Sequence, residues 1–240
     1  PRVRDAMLPW LGARFGNPSS RSHVYGREAF AAVEAARAEV AALIGAKPRE
    51  IIFTSGATEA DELAIAGAVR GAPTGERHVV TQVTEHAAVL AVVSDVAREG
   101  VSSTVVGVDA RGEVRLDALD AAITTATTLV SVMLSNSEIG TVQPLETIAA
   151  MTQARGVTLH SDAAQGLGYL ALDVSRVPID LVSLSSHKLY GPMGVGALFV
   201  RDRYDLHLVA TQRGGGQERG LRGGTCLLYT SPSPRDRTRS

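Results

Sequence analysis

The chain has 240 residues, of which 45% are hydrophobic, and its 24 lysines and arginines nearly balance its 25 aspartates and glutamates. Because no basic block precedes the last few residues, this balance disfavours a nucleic-acid or membrane-surface partner and favours a small-molecule substrate. The apolar runs are far shorter than the roughly 20 residues that span a bilayer, and a single cysteine, Cys226, excludes an internal disulfide and favours the cytoplasm.

A helix is predicted first along the chain, followed by a series of βα units. Apolar residues at helical spacing predict one long helix over residues 27–44, ended by Gly45. From Ile51 onward, short β-branched runs alternate with Ala-rich stretches, a pattern typical of a parallel sheet with crossover helices. The pattern predicts helices over residues 59–69, 89–98 and 145–154, and seven strands, at residues 51–54, 78–82, 104–108, 129–135, 157–160, 180–184 and 195–200.

The expected fold is an α/β domain with a mixed, mostly parallel seven-stranded sheet flanked by helices. The sheet is mixed because the connection over residues 185–194 is too short for a crossover helix, so the last strand should run antiparallel to its predecessor. We divide the chain into an N-terminal segment with the long helix (1–50), this domain (51–225) and a tail (226–240). The tail resembles translated sequencing-adapter sequence and is excluded, with Cys226, from functional interpretation. Since the chain lacks an initiator Met, its natural start is expected upstream.

Lys188 is the first candidate for chemistry, because it lies in a Ser- and Gly-rich turn directly after an apolar strand. Open α/β sheets bind their ligands at strand ends. A lysine in a partly desolvated cleft loses proton affinity and can condense with a carbonyl, such as the aldehyde of pyridoxal phosphate (PLP). Taken alone, Lys188 could equally be a solvated surface residue, which is the common environment of lysine.

Neighbouring strand ends carry residues that would suit the same cofactor. Asp162 could hold the pyridine nitrogen of PLP protonated, or it could cap a helix, and Gln165 could hydrogen-bond the ring phenolate oxygen. Residues 55–58 join a strand to a helix, so their backbone N–H groups and the Thr58 hydroxyl could hold a phosphate, although many such turns are purely structural. His86 could stack on a flat ring or simply pack in the fold.

Together these motifs resemble the class V aminotransferases, a family of PLP-dependent enzymes, and within it the cysteine desulfurases of the NifS/IscS type. The resemblance runs from residue 17 to residue 225 and implies the PLP-dependent transferase fold, known as fold type I. In chain order, it is carried by NPSS at 17–20 with His23 and Gly26, EIIFTSGATE at 50–59, TEHAAV at 84–89, NSEIG at 136–140, HSDAAQ at 160–165, SSHKLYGP at 185–192, GGGQE at 214–218 and RGGT at 222–225.

The resemblance also implies a role for each candidate residue. Lys188 would bind the PLP aldehyde covalently, Asp162 would pair with the pyridinium, and Gln165 would contact the phenolate oxygen. His86 would stack on the ring. The phosphate would be held by Ala57, Thr58, Ser185 and His187 and, from the partner subunit of a homodimer, by Thr225.

The activity implied by the resemblance is conversion of L-cysteine to L-alanine. The sulfur would pass through a persulfide on an enzyme cysteine to an acceptor or scaffold protein for iron–sulfur cluster and thiocofactor assembly. Two departures from the family pattern stand out. The C-terminal domain with the catalytic cysteine has no counterpart here, so the chain as written is expected to be inactive, and Ser137 replaces the second Asn of an Asn-Asn-Glu motif.

Three alternatives to this interpretation are weaker. The chain could belong to another class V enzyme, such as a selenocysteine lyase or an aminotransferase, although the motif over residues 214–225 favours a desulfurase. It could be a catalytically silent fragment. A nucleotide-binding module is disfavoured, because the glycines of residues 191–196 precede a strand and no G-x-x-x-x-G-K-[ST] sequence occurs.

Overall fold

Six α-helices and seven strands are found in the computed structural model, which describes residues 2–73, 75 and 77–225. The predicted tail and Cys226 lie outside these residues. The helices are α1 (Arg2–Leu11), α2 (Val24–Leu43), α3 (Ala57–Gly71), α4 (Ala87–Arg98), α5 (Leu116–Ala122) and α6 (Leu145–Gln153). The strands are β1 (Ile51–Thr54), β2 (His78–Gln82), β3 (Ser102–Val106), β4 (Thr127–Ser131), β5 (Thr158–Asp162), β6 (Leu181–Ser185) and β7 (Gly196–Val200).

The strands form a single mixed sheet in the order β1-β7-β6-β5-β4-β2-β3. Strand β7 runs antiparallel to both of its neighbours, β1 and β6. All the other neighbouring strands are parallel. The predicted fold class is therefore confirmed, and so is the antiparallel direction of the last strand.

The long helix α2 begins and ends close to its predicted bounds. His23 is its N-cap, with the ring Nδ1 accepting a hydrogen bond from the Gly26 N–H at 3.1 Å. The helix ends at Leu43, and Gly45 follows with φ of +69°, a left-handed conformation that glycine adopts at little cost. Helices α1 and α5 were not predicted. Strands β3 and β4 each begin two residues before their predicted starts, and β4 ends at Ser131 instead of at residue 135.

Two hydrophobic layers cover the two faces of the sheet, because consecutive side chains of a strand point to opposite faces. Helices α3 and α4 pack on one face against Ile52, Val79, Leu129, Leu181 and Leu198. The following residue of each strand faces the other layer, where α2, α5 and α6 supply Val33, Leu119 and Ile148 among others. Within the described ranges, no helix has the length and apolar character needed to cross a membrane.

Candidate active site

The carboxyl ends of six strands meet at one edge of the sheet. Strands β2, β3, β4, β5 and β6 are parallel, and β1 points the same way because β7 is antiparallel to both β1 and β6. Gly196, at the start of β7, pairs with Thr54 at the end of β1 and with Ser185 at the end of β6. The last residues of these strands and the segments that follow them therefore lie side by side, and they include all the predicted site residues except Thr225.

Lys188 lies in the 3₁₀ turn Ser186–Leu189 that follows β6. Next to it, the buried Ser185 hydroxyl and the Nδ1 atom of His187 form a hydrogen bond of 2.8 Å. The side chains of Lys188 and His187 are both exposed. The exposure of Lys188 agrees with the alternative of a solvated lysine, and its role in binding a cofactor stays a prediction.

Asp162 is the last residue of β5 and only 4% exposed. Its Oδ1 atom accepts a hydrogen bond from the Ala164 N–H at 2.9 Å, and the chain continues in a turn. The alternative of a helix N-cap is therefore wrong. Burial raises the pKa of Asp162, while the nearby His86 acts in the opposite direction. Gln165, three residues further on, is half-buried at the same edge.

His86 is the N-cap of α4, in the segment that follows β2. Its Nδ1 atom accepts a hydrogen bond from the Ala88 N–H at 3.1 Å, so the hydrogen of a neutral ring is assigned to Nε2. The side chain is exposed, which excludes packing in the core. His86 is also close enough to Asp162 to lower the pKa of that carboxyl.

The turn between β1 and α3 offers unpaired backbone donors. Gly56 is the N-cap, and the first hydrogen bond of the helix runs from the Ala60 N–H to the Gly56 carbonyl. The N–H groups of Ala57 and Thr58 come before this bond and have no partner within the helix. A Cβ atom placed on Gly56 would meet no atom within 4 Å, so the space beside the turn is open. A helix N-terminus of this kind favours an anion.

Thr225 lies apart from these residues in the sequence, at the end of a Gly-rich loop that we define as residues 213–225. It is exposed. The Gly223 N–H donates a hydrogen bond to the carbonyl of Gln212, directly before the loop, at 2.9 Å, and within the loop the Gly224 N–H donates to the Gln217 Oε1 atom at 3.1 Å. Its contact with a partner subunit stays a prediction.

A cluster of three buried carboxyl groups, which sequence reasoning missed, lies beside this edge. Asp61 on α3, Glu85 before α4 and Asp162 are 1%, 7% and 4% exposed, respectively. They interact electrostatically with one another, and in the described part of the chain no lysine or arginine offsets their charge. Burial therefore raises the pKa of all three carboxyl groups. The pKa of Glu85 reaches about 8, although its Oε1 atom accepts a 2.6 Å hydrogen bond from the Met133 N–H that acts in the opposite direction.

His160, on β5, does not supply the missing positive charge. Its ring is fully buried, with Nδ1 2.9 Å from the Ser131 hydroxyl and Nε2 3.0 Å from the Ser183 hydroxyl. Burial lowers its pKa to about 3, so the ring is neutral at physiological pH. The 3.6 Å approach of its Nε2 to the Asp61 Oδ1 atom is consequently not an ion pair.

Two signals in the sequence could have revealed the carboxyl cluster. Glu85 directly precedes His86, a residue already singled out at the end of a strand. Asp61 lies on the same helical face as Ala64, Ile65 and Ala68, where an acidic residue interrupts an apolar stripe. An acidic residue on such a face is buried and requires a physical explanation.

The NSEIG motif also takes a defined conformation at this edge. Asn136 donates a 3.0 Å hydrogen bond from its side-chain amide to the Thr84 carbonyl, and so joins the segments that follow β4 and β2. Its Oδ1 atom accepts from the Glu138 N–H at 2.8 Å. Ser137, which stands where the family pattern has the second Asn, is exposed.

Comparisons with known proteins define the class of the protein. A protein called "Cysteine desulfurase, mitochondrial" from Drosophila melanogaster is 52% identical over 225 residues, which cover 94% of this chain and 49% of the relative. Two solved structures superpose closely. "SspA in complex with cysteine" has a TM-score of 0.92 at 38% identity and covers 97% of this chain and 67% of the other. "NIFS-LIKE PROTEIN" has a TM-score of 0.93 at 34% identity, with 98% and 64% covered.

The mixed sheet and the similarity to solved NifS-like structures define the PLP-dependent transferase fold, fold type I, that the resemblance implies. The family model "Aminotransferase class-V" matches residues 1–227. The chain belongs to this family. It spans about half the length of the relatives that it matches.

Proposed function

We propose that this chain is the cofactor-binding part of a PLP-dependent cysteine desulfurase. The observation that carries the proposal is the convergence of a lysine, a buried carboxylate and a helix N-terminus at one edge of the sheet. These groups match the aldehyde, the pyridine nitrogen and the phosphate of PLP, respectively. The names of relatives that are about half identical in sequence support a desulfurase in particular.

The carboxyl cluster fits the cofactor in charge as well as in position. Asp162 is buried without a lysine or arginine partner in the described ranges, and a buried carboxylate is costly unless a cation neutralises it. A protonated pyridine ring would be such a cation. Glu85 and Asp61, which keep their protons more readily than exposed carboxyls, would leave the negative charge at Asp162.

In this mechanism the residues of the chain hold and orient the cofactor. Lys188 would hold its aldehyde, Asp162 its ring nitrogen and Gln165 its phenolate oxygen, and bound PLP would supply a ring that accepts electrons from the substrate. His86 would cover the ring and carry a proton at Nε2. The phosphate would bind at Ser185, His187 and the N–H groups of Ala57 and Thr58.

The activity of the whole protein is proposed to be desulfuration of L-cysteine to L-alanine. The sulfur would be transferred to an enzyme cysteine as a persulfide and then to an acceptor or scaffold protein. Two findings support this substrate: relatives that are named cysteine desulfurases, and a solved structure of a similar protein in complex with cysteine. A homodimer is part of the proposal, because Thr225 would complete the phosphate site of the partner.

Reduction of the chain with borohydride in the presence of PLP tests the cofactor assignment. The chain has only two lysines, and we expect the label on Lys188 and not on Lys47, which is exposed after α2. The variant Lys188→Ala should lose the label, and Lys47→Ala should keep it. A label confined to Lys47 would refute the assignment.

Substrate choice can be read from the same labelling experiment. If L-cysteine is the substrate, its amine should displace Lys188 from the cofactor, so preincubation with L-cysteine should lower the labelling of Lys188. L-aspartate at the same concentration is the comparison, since an aminotransferase would respond to it. Protection by L-aspartate alone would favour an aminotransferase over a desulfurase.

A further inference from the structure

The Gly-rich loop, residues 213–225, is held to the body of the domain largely by ion pairs. Its regular structure in the described residues is one short 3₁₀ turn, Glu218–Gly220. Glu218 receives two hydrogen bonds from the Arg37 guanidinium, at 2.6 and 2.8 Å, and one from the Phe53 N–H at 2.8 Å. Both charged side chains are largely buried, so the ion pair anchors the loop to α2, which contains Arg37, and the Phe53 N–H anchors it to the edge strand β1.

A second ion pair joins the loop to the turn that precedes α3. The Glu59 Oε1 atom accepts from Arg222 Nε at 2.7 Å, and its Oε2 atom accepts from the Ser55 N–H at 2.8 Å. The side chains of Arg222 and Glu59 are 18% and 14% exposed. One carboxylate therefore contacts both the proposed phosphate turn and the loop that carries Thr225.

The position of Glu59 raises an electrostatic problem that Arg222 solves. Glu59 lies in the first turn of α3, at the positive end of the helix dipole, where the phosphate is proposed to bind. An uncompensated carboxylate there would repel a phosphate and compete with it for the helix N-terminus. Although burial opposes ionisation, the hydrogen bonds from Arg222 and Ser55 lower the pKa of Glu59, so the carboxylate is charged and requires neutralisation.

We propose that Arg222 is a positioning residue that neutralises Glu59, and so makes the N-terminus of α3 a phosphate site while fixing the loop that carries Thr225. The inference rests on the proposed function. It has a specific consequence: a variant without Arg222 should be harmed by the Glu59 charge that remains. Removing that charge as well should restore phosphate binding in part.

The test is the affinity for PLP, measured by titration for four chains: wild type, Arg222→Gln, Glu59→Gln and the double variant. Arg222→Gln should bind PLP roughly tenfold more weakly, and the double variant should bind more tightly than Arg222→Gln. Pyridoxal, which lacks the phosphate, should show no such differences. If the Arg222–Glu59 pair had a purely structural role, the loss of affinity would instead be equal for PLP and pyridoxal, or it would be larger in the double variant than in Arg222→Gln.

Matched controls separate this effect from a loss of folding. Arg70 and Glu99 form an exposed ion pair at the other end of α3, and Arg70→Gln should leave PLP affinity unchanged. Arg222→Lys keeps the neutralising charge, so it should stay within about threefold of wild type. If Arg222→Gln does not fold, the PLP affinity of Arg222→Lys tests whether a positive charge at this position is sufficient.

Failure of the inference and failure of the proposed function give different results. If Lys188 does not bind PLP in the wild type, the cofactor assignment fails. The phosphate site is then tested with inorganic phosphate, whose binding is measured as a rise in the Tm of each chain. In either case, an Arg222→Gln chain that binds its phosphate ligand as tightly as wild type overturns the inference. So does a double variant no tighter than Arg222→Gln.

Discussion

Replacing Glu85 by Gln tests whether a buried carboxyl group makes the stability of this fold depend on pH. Glu85 is 7% exposed, and its Oε1 atom accepts a hydrogen bond from the Met133 N–H. A glutamine keeps the size of the side chain and an oxygen to accept that bond. The variant Glu85→Gln therefore removes the titrating group with little change in packing.

The sign of the effect follows from the direction of the pKa change. Burial raises the pKa of Glu85 from 4.5 to about 8, so the folded chain retains a proton that the unfolded chain has already lost. The stability from this proton is complete below pH 4.5 and is lost as the pH rises to about 8. Each pH unit in this range changes the free energy of unfolding by about 1.4 kcal/mol, and the dependence flattens near pH 8. Between pH 6 and pH 8, the wild type should lose about 2 kcal/mol relative to Glu85→Gln.

Urea unfolding of both chains at pH 6, 7 and 8 measures this difference. Asp61 and Asp162 are present in both chains, so most of their own contribution cancels. Glu62→Gln, which removes an exposed carboxylate from α3, is the control for the loss of one negative charge. Curves for the wild type and Glu85→Gln that stay parallel within about 0.5 kcal/mol would refute the reasoning, since they would mean that Glu85 is ionised in the folded chain.

Two further predictions concern the edge of the sheet. Asp162→Asn keeps the shape of the side chain but removes its charge. In a full-length enzyme that contains the missing C-terminal part, turnover should therefore fall about a hundredfold while the Kd for PLP changes much less. Equal turnover at saturating PLP would contradict a role of Asp162 in the chemistry. In Gly196→Ala, the new Cβ atom would lie 2.5 Å from the carbonyl carbon of Gly56, which forces β7 or the phosphate turn to move. Urea unfolding should show a loss of about 1–3 kcal/mol, and PLP should bind more weakly; an unchanged free energy of unfolding would show that the turn yields freely.

The chain matches only about half the length of its relatives, and this limits the reactions that its site can carry out alone. The described residues bring together the groups proposed for the aldehyde, ring nitrogen and phosphate of PLP, within the half of the relatives that this chain covers. The enzyme cysteine that would receive the sulfur is proposed for the whole protein and is not among the described residues. Cofactor binding and sulfur transfer are therefore separate experiments.

Local sequence patterns were sufficient for the fold class and for the edge of the sheet at which the candidate site residues lie. Each of the seven strands overlaps a predicted one, although β3 and β4 are displaced by two or more residues, because buried strands require β-branched runs whatever surrounds them. The short connection after β6 was enough to predict the antiparallel β7. Lys188 and Asp162 could be placed together because the ends of neighbouring parallel strands share one edge.

Only the tertiary structure showed how charges distant in the sequence meet. Arg222 and Glu59 are 163 positions apart, and no local pattern marks them as a pair. The exposure of Lys188 and the burial of Asp61 and Glu85 were likewise decided by how α3, α4 and the strand-end turns pack. Hydrophobic periodicity reports which face of an element is buried, but the interaction of two charges depends on their distance and on the solvent between them, and these are set only when the whole chain has folded.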